Sequence, residues 1–154
     1  MTGSTKLNAL LQRFAGVSDR EEREMLLVGY ADRFREVSPS VARRPFEESH
    51  RVPYCESEAY VWLTSRPDGT VALSFAVENP SGISAKALAA ILSETLSGST
   101  PEIIASISPD IVSEIFRENI SMGKGMGLTG MVLMVQAAAR RLIPQRAGTP
   151  SRAG

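Results

Sequence analysis

One thiol stands in a short polar segment of the chain, at Cys55 in HRVPYCESEAYVWL, residues 50–63. A cysteine thiolate is a nucleophile that attacks sulfur, so its surroundings decide whether it does chemistry. Pro53 disfavours helix at the residue before it, and the polar neighbours of Cys55 are typical of a surface turn. We therefore predict that Cys55 lies on an accessible turn just before a strand, although a lone cysteine is more often a small buried hydrophobe.

Charged residues of both signs surround this thiol in the sequence. His50 and Arg51 favour the thiolate, whereas Glu56 and Glu58 oppose it, and the pattern leaves the balance open. His50 could also serve as a general base for Cys55, as in a cysteine-nucleophile hydrolase. Catalytic pairs are set by proximity in the fold rather than along the chain, so the spacing gives this alternative little support.

The composition restricts the classes of protein that the chain can represent. Its 154 residues include 17 basic and 17 acidic side chains, a balance that argues against binding nucleic acid through bulk charge. A single cysteine rules out an internal disulfide and a cysteine-built zinc site, and a free thiol fits a reducing, cytoplasmic compartment. No apolar run is long enough to cross a bilayer and the first residues lack a secretory signal, so we expect no membrane partner.

Two helices and a loop are predicted ahead of the cysteine. Residues 4–15 carry apolar side chains at helical spacing. The second helix is expected to begin with a capping box, Ser18 followed by Glu21. We expect the charges near its start, including Arg23, to form a solvated face. Residues 36–50 contain two prolines and several charges, which predicts a surface loop.

A β-hairpin is predicted directly after the cysteine. Residues 57–65 are rich in β-forming side chains, and residues 70–77 alternate apolar and small residues. The segment RPDGT between them is a turn signal, because proline and glycine suit the backbone angles that turns require. We expect Trp62, in the first strand, to pack beneath a helix.

Helices are predicted for most of the remaining chain. Residues 84–98 form the clearest pattern, with Ser84 as a candidate cap. Two short helices are predicted where Pro101 and Pro109 each follow a threonine or a serine. The segment SMGKGMGLTG, residues 121–130, is expected to be a glycine-rich linker that leads into a last helix.

The order of elements predicts an α+β fold, with a small antiparallel sheet of two to three strands packed against several helices. Residues 1–143 are expected to be a single domain, and residues 144–154 a disordered tail without apolar periodicity. The GKGMG segment lacks the spacing of a phosphate loop. The nearby methionines are expected to be core filler and loop contacts rather than metal ligands: Met122, Met126, Met131 and Met134.

The segment RVPYCESEAYVW resembles the active-cysteine segment of the SufE family, the sulfur-acceptor proteins of iron–sulfur cluster assembly. The residues that fit the family pattern are Arg51, Cys55, Ser57, Val61 and Trp62. The likeness runs from about Leu7 to Leu142 and includes the Asp-Gly turn, the AKALAAIL helix and a Gly-Leu that opens the last helix. It implies a SufE-like fold in which Cys55 is the reactive residue.

Three residues depart from the family pattern. Tyr54 stands where glycine is usual, so a changed or strained turn is expected if that glycine serves a positive φ. Glu56 replaces the usual glutamine and adds negative charge, and Lys124 replaces an arginine that helps to meet the partner enzyme. The residues that the resemblance implies in partner binding are Arg51, Tyr54, Glu56, Ser57 and Lys124.

The resemblance implies an accessory sulfur carrier rather than an enzyme. A cysteine desulfurase (SufS-like) that uses pyridoxal phosphate would pass its persulfide sulfur to Cys55, and the carrier would relay it to an Fe–S scaffold complex (SufBCD-like). No cofactor is implied for this chain, because the pyridoxal phosphate belongs to the desulfurase. The alternative is a binding module that keeps the fold and regulates a desulfurase or scaffold without accepting sulfur.

Overall fold

A computed structural model describes residues 4–144. In chain order its helices and strands are α1 Thr5–Ala15, α2 Arg20–Asp32, β1 Ala59–Ser65, β2 Val71–Val77, α3 Ile83–Leu96, α4 Pro101–Ala105, α5 Ile111–Phe116 and α6 Met122–Leu142. Helices packed on a two-stranded antiparallel sheet confirm the predicted α+β class. The predicted tail lies, except for Pro144, outside the described residues.

The hairpin forms where its alternating pattern predicts it. Its register pairs Ala59 with Val77 at the open end and Ser65 with Val71 at the turn. A further isolated bridge joins Arg51 to Tyr60, so the chain before the cysteine returns alongside β1 without forming a third strand. The cysteine therefore lies in a loop between that bridge and the start of β1.

The two faces of the hairpin are covered by different parts of the chain. Val61 and Phe75 face the helical core. Tyr60 and Trp62 face the other way and pack with Val37 and Phe46 from the loop before β1. The expectation that Trp62 packs beneath a helix is therefore wrong, because strand alternation sends its side chain to the face that this loop covers.

Helix α2 begins one residue later than its sequence signal suggests. Its N-cap is Asp19, whose carboxylate accepts a hydrogen bond from the Glu22 amide at 3.1 Å, so the Ser18–Glu21 capping box does not form. The helix places Leu27 and Tyr30 in the core. An aspartate cap satisfies a free amide as well as serine does, which is why the two adjacent candidates could not be separated by sequence.

Arg23 is buried within the helical core, at 2% exposure, rather than on a solvated face. Its guanidinium donates hydrogen bonds to the carbonyls of Phe14 at 2.7 Å, Val17 at 2.6 Å and Ile115 at 2.7 Å. These carbonyls lie at the C-terminal ends of α1 and α5, where helices leave their acceptors without intrahelical donors. The buried charge thus joins three helices, which a pattern read along α2 alone could not reveal.

The middle helices agree in place with the sequence but differ at their caps. Gly82 is the N-cap of α3 and makes no side-chain cap hydrogen bond, so Ser84 lies inside the first turn instead of capping it. Thr100 caps α4 through the Ile103 amide, with Pro101 at the first position as predicted. Helix α5 starts at Ile111, two residues beyond Pro109.

Helix α6 includes almost all of the segment expected to be a linker. Ser121 caps it by accepting a hydrogen bond from the Lys124 amide at 3.2 Å, and the helix then runs from Met122 to Leu142. Glycine disfavours helix by about 1 kcal/mol each. Burial of a long apolar face that includes Leu128 and Met131 offsets that tendency. Met131 is core filler as expected, whereas Met122 is exposed.

No helix within residues 4–144 is both long enough and apolar enough to cross a membrane.

Candidate functional site

The cysteine loop, residues 52–59, is closed at its base by backbone hydrogen bonds. The Val52 amide donates to the Ala59 carbonyl at 2.8 Å, beside the Arg51–Tyr60 bridge. Within the loop the Glu58 amide donates to the Cys55 carbonyl at 3.1 Å. These bonds hold Cys55 at the tip of a compact loop whose two ends are fixed to the sheet.

Two residues of this loop have left-handed backbone conformations although neither is glycine. Tyr54 has φ 60° and Glu58 has φ 54°. A β-carbon disfavours this region by about 1–2 kcal/mol per residue. The strain expected at Tyr54 from the missing glycine is therefore present, and the surrounding contacts must maintain it.

Helix α6 supports the loop through a close backbone approach at Gly127. A β-carbon at Gly127 would lie 3.1 Å from the Cys55 Cα and 3.1 Å from the Tyr54 carbonyl oxygen. Gly82 plays the same part at the start of α3, where a β-carbon would lie 2.9 Å from the Ser57 side chain. Glycine at both positions lets two helix starts contact the cysteine loop directly.

The Cys55 residue is buried, at 9% exposure, and packs with the main hydrophobic core. Pro53, Tyr54 and Glu56 around it are exposed, with Tyr54 at 86%. The prediction of an accessible thiol is therefore wrong, although the predicted turn is present. The polar neighbours mark the outer side of the loop, and the close approach of α6 turns the cysteine inward.

A small cavity of about 170 Å³ lies beside the thiol, and we call it the cysteine cavity. It is lined by Tyr54, Cys55, Glu56, Ser57, Asn79, Ser81, Ser84, Gly123, Lys124, Gly127 and Leu128. These residues come from the cysteine loop, from the segment that leads into α3 and from the first turns of α6.

The cysteine cavity is suited to hold a negatively charged group. Helix N-termini carry partial positive charge, and those of α3 and α6 both border the cavity. The first turn of α3 receives no side-chain cap, although its Ile83 amide donates to the Ser81 carbonyl at 2.8 Å. Lys124 adds a full positive charge at the rim, and Glu56 is the carboxylate that opposes it.

Most of the residues expected at the site lie together in the structure. Tyr54, Glu56, Ser57 and Lys124 all line the cysteine cavity with Cys55. The first turn of α6 brings Lys124 there, although it lies 69 positions after Cys55 in the chain.

Arg51 is the exception among the expected site residues. It does not line the cysteine cavity but lies on a wider groove on the other side of Tyr54. Its guanidinium is 3.9 Å from the carboxylate of Glu48, a distance that gives at most a weak ion pair. Any part that it takes in partner binding would therefore be separate from the thiol.

Three polar residues, from the segment before α3 and from its first turn, were not among the residues expected at the site. Asn79, Ser81 and Ser84 also line the cysteine cavity. The Asn79 amide also donates to the Ser57 carbonyl at 3.1 Å, which ties this segment to the cysteine loop. The turn signal in ENPSG identifies the segment as a loop but gives no sign that the hairpin returns it to the cysteine.

His50 is not among the residues that line the cysteine cavity. Its Nδ1 lies 2.9 Å from the Val61 carbonyl oxygen, and its ring stacks on Trp62 at 5.3 Å between centroids. The histidine is thus held on the side of the hairpin where Trp62 packs. The structure gives no support to a hydrolase in which His50 activates Cys55.

The fold and the site together define a small α+β protein built around one enclosed cysteine. A family model described as SufE, Fe-S metabolism associated domain, matches residues 8–139. The chain therefore belongs to the SufE family, and this membership associates it with iron–sulfur metabolism.

The fold is shared with a solved structure of another protein. The solution structure of a hypothetical protein from Thermus thermophilus has 26% sequence identity to this chain and a TM-score of 0.72. The similarity covers 92% of this chain and 98% of that protein. No curated protein matches the sequence.

Proposed function

We propose that this protein is a sulfur acceptor that takes a persulfide sulfur onto Cys55 from a cysteine desulfurase and relays it to an iron–sulfur scaffold. The observation that carries the proposal is the enclosure of the chain's one thiol in a cavity bordered by two helix starts and Lys124. Membership of the SufE family supplies the association with iron–sulfur metabolism. The desulfurase is expected to be SufS-like and the scaffold SufBCD-like.

The transfer is an exchange between sulfur atoms without net oxidation. The Cys55 thiolate attacks the outer sulfur of the desulfurase persulfide, and a new sulfur–sulfur bond forms on Cys55. The original sulfur–sulfur bond breaks, and the desulfurase cysteine leaves as a thiolate. Cys55 then carries the persulfide, whose terminal sulfur is anionic when deprotonated and suits the positive surroundings of the cysteine cavity.

The cysteine cavity has room for the sulfur that the proposal adds. Its volume of about 170 Å³ exceeds the share of roughly 30 Å³ that one water occupies in the liquid. The enclosure would shield the bound sulfur from reductants and thiols in solution. Receiving the sulfur requires the cysteine loop to move, and the strained conformations of Tyr54 and Glu58 reduce the free energy needed for that movement.

The protein then acts as an accessory that removes product sulfur from its partner, with no turnover of its own on a small substrate. A binding module that holds the desulfurase without accepting sulfur is the second candidate. The negative charge of Glu56 at the rim of the cysteine cavity favours it, because that charge repels an incoming anionic persulfide. The two candidates differ in whether Cys55 ever carries sulfur.

Intact-mass measurement after incubation with a cysteine desulfurase and cysteine, without reductant, tests the proposal. We expect a mass gain of one sulfur atom in the original protein and none in Cys55→Ser, because the chain has no other cysteine. Desulfurase turnover should rise with the original protein and not with the variant. Equal stimulation by both proteins, with no mass gain in either, would identify the binding module instead.

A further inference from the structure

A second concave surface lies beside the cysteine cavity, and Tyr54 lines both. We call it the apolar groove. Its volume is about 1230 Å³, above the range of roughly 300–1,000 Å³ that is typical of small-molecule sites. It runs between α5 and the outer face of α6, so its dimensions suit a peptide segment better than a metabolite.

The groove is built on a second apolar face of α6. Met122, Met126, Gly130, Leu133 and Ala137 follow one another at intervals of three or four residues, which places them on one side of the helix. The opposite side of α6 is buried in the core. Met126 is 63% exposed and Leu133 is 49% exposed. This face of α6 is therefore apolar and is not covered by any other part of the described chain.

The side chains of the groove are suited to contact with another protein. Large apolar residues concentrated in one patch mark interaction surfaces more often than scattered ones do. Methionine is flexible and polarisable, and it adapts to a partner surface at little cost. Tyr54 adds an aromatic ring at 86% exposure, and tyrosine is one of the residue types enriched among the residues that contribute most to binding at interfaces.

The charges around the groove indicate what its occupant carries. Three arginines line it, Arg51, Arg117 and Arg141, against the single carboxylate of Glu118. Within residues 4–144, neither Arg117 nor Arg141 has a carboxylate within 4.0 Å. This excess of positive charge favours an occupant with carboxylate groups beside its apolar ones.

We infer that the apolar groove docks an amphipathic segment of the sulfur-donating partner, with apolar side chains against α6 and acidic side chains against Arg117 and Arg141. This inference rests on the proposed function for the partner's identity. Because Tyr54 belongs to both surfaces, an occupant of the groove would contact the residue next to Cys55. Docking would therefore place the donor beside the loop that has to move.

The test compares affinities for the cysteine desulfurase used in the charging experiment, measured by calorimetric titration. Leu133→Glu places a negative charge in the groove, and we expect at least about tenfold weaker binding. Met25→Glu is the matched control, because Met25 is 75% exposed on α2 and does not line the groove. The control should bind as the original does.

A second pair of variants tests the charge argument. Arg141→Gln should weaken binding roughly two- to fivefold, the scale of one exposed ion pair. Arg140→Gln removes the neighbouring charge, which does not line the groove, and should change nothing. Added salt should weaken binding of the original more than that of Arg141→Gln.

Charging with glutathione persulfide separates failure of this inference from failure of the proposed function. This small donor needs no groove, so Leu133→Glu should accept its sulfur as the original does. If Leu133→Glu bound the desulfurase as tightly as the original and Cys55 still accepted sulfur, the inference would be overturned and the proposed function would stand. If desulfurase binding depended on the groove but Cys55 accepted sulfur from neither donor, the inference would stand and the proposed function would fail.

Two further results would overturn the inference. One is failure of the original protein to bind the desulfurase. The other is self-association in sedimentation experiments that Leu133→Glu abolishes, which would assign the groove to a second copy of this chain.

Discussion

The two loops at opposite ends of β1 are built in contrasting ways. In the hairpin turn after Ser65, Gly69 takes the left-handed conformation, φ 86°, and a β-carbon there would meet nothing within 4 Å. In the cysteine loop, Tyr54 and Glu58 take that conformation without being glycine. The hairpin turn is exposed and locally stable, whereas the cysteine loop is strained and packed against α6.

The difference separates a turn whose conformation is stabilised by its own hydrogen bonds from one whose conformation depends on packing. The hairpin turn is stabilised by hydrogen bonds within the turn, because Asp68 accepts hydrogen bonds from the Thr70 amide at 3.0 Å and the Thr70 hydroxyl at 2.7 Å. The conformation of the cysteine loop depends on contacts from distant segments, above all Gly127 of α6. Departures from local preference of this kind concentrate at functional sites.

Among the substitutions considered, adding a side chain at Gly127 should have the largest effect on the cysteine loop. In Gly127→Ala the new β-carbon lies against the Cys55 backbone at 3.1 Å, so the cysteine loop has to shift. We expect the free energy of unfolding to fall by about 1–3 kcal/mol, the usual range for overpacking. Cys55 should also become more accessible, which a faster rate of alkylation by iodoacetamide would report.

Gly29→Ala, on the exposed side of α2, is the control for that substitution. A β-carbon at Gly29 meets nothing within 4 Å, so stability should stay unchanged or rise by up to about 1 kcal/mol. The alkylation rate of Cys55 should not change. If both variants behaved alike, the cysteine loop would not depend on α6 in the way that its packing implies.

Exchanging the residue types at Tyr54 and Gly69, one left-handed position from each loop, should give opposite effects. Tyr54→Gly relieves backbone strain, and we expect the free energy of unfolding to rise by about 0.5–1 kcal/mol after the entropy of glycine is counted. Gly69→Ala introduces the strain at the hairpin turn and should lower it by about 1–2 kcal/mol. Chemical denaturation measures both, and effects of the same sign would contradict the contrast between the loops.

The smallest expected effect concerns Asp68 and depends on pH. Hydrogen bonds from the Thr70 hydroxyl and amide lower the pKa of the Asp68 carboxyl. A carboxyl whose pKa is lower in the folded state stabilises above its unfolded pKa, about 3.9, and loses that contribution as pH falls through the folded pKa. Asp68→Ala should therefore be slightly less stable than the original at neutral pH, and this difference should shrink in strong acid.

Thermal unfolding at a series of pH values would show this convergence. Asp68→Asn keeps an acceptor for the Thr70 amide but cannot ionise, so it should remove the pH dependence at this turn while retaining part of the stability. A difference between Asp68→Ala and the original that persists unchanged into strong acid would mean that the carboxylate charge contributes nothing.

The elements that could be predicted from the sequence are those that local signals determine. The β1–β2 hairpin, the body of α3 and the start of α4 at Pro101 all follow from patterns within a few residues. The turn at Cys55 was also predictable, as was the need for a special conformation at Tyr54. Each of these depends on the backbone preferences of neighbouring residues.

The features that could not be predicted depend on contacts between distant segments. The glycines of SMGKGMGLTG indicate a linker until packing of α6 against the core is known. The same packing turns Cys55 inward among exposed neighbours. The lining of the cysteine cavity by Ser81 and Ser84 likewise needs the path of the chain from β2 into α3, which no local pattern contains.

The hydrogen bonds of Arg23 affect how the helices of the protein unfold locally. Its side chain reaches Phe14, nine positions earlier, and Ile115, 92 positions later, so one guanidinium links α1 and α5, which lie far apart along the chain. If α1 alone detached, a buried cation would lose part of its acceptors, a costly loss in the interior. Amides of α1 and α5 should therefore exchange with solvent hydrogen through one shared opening rather than by separate fraying, which makes the helical body a single cooperative unit.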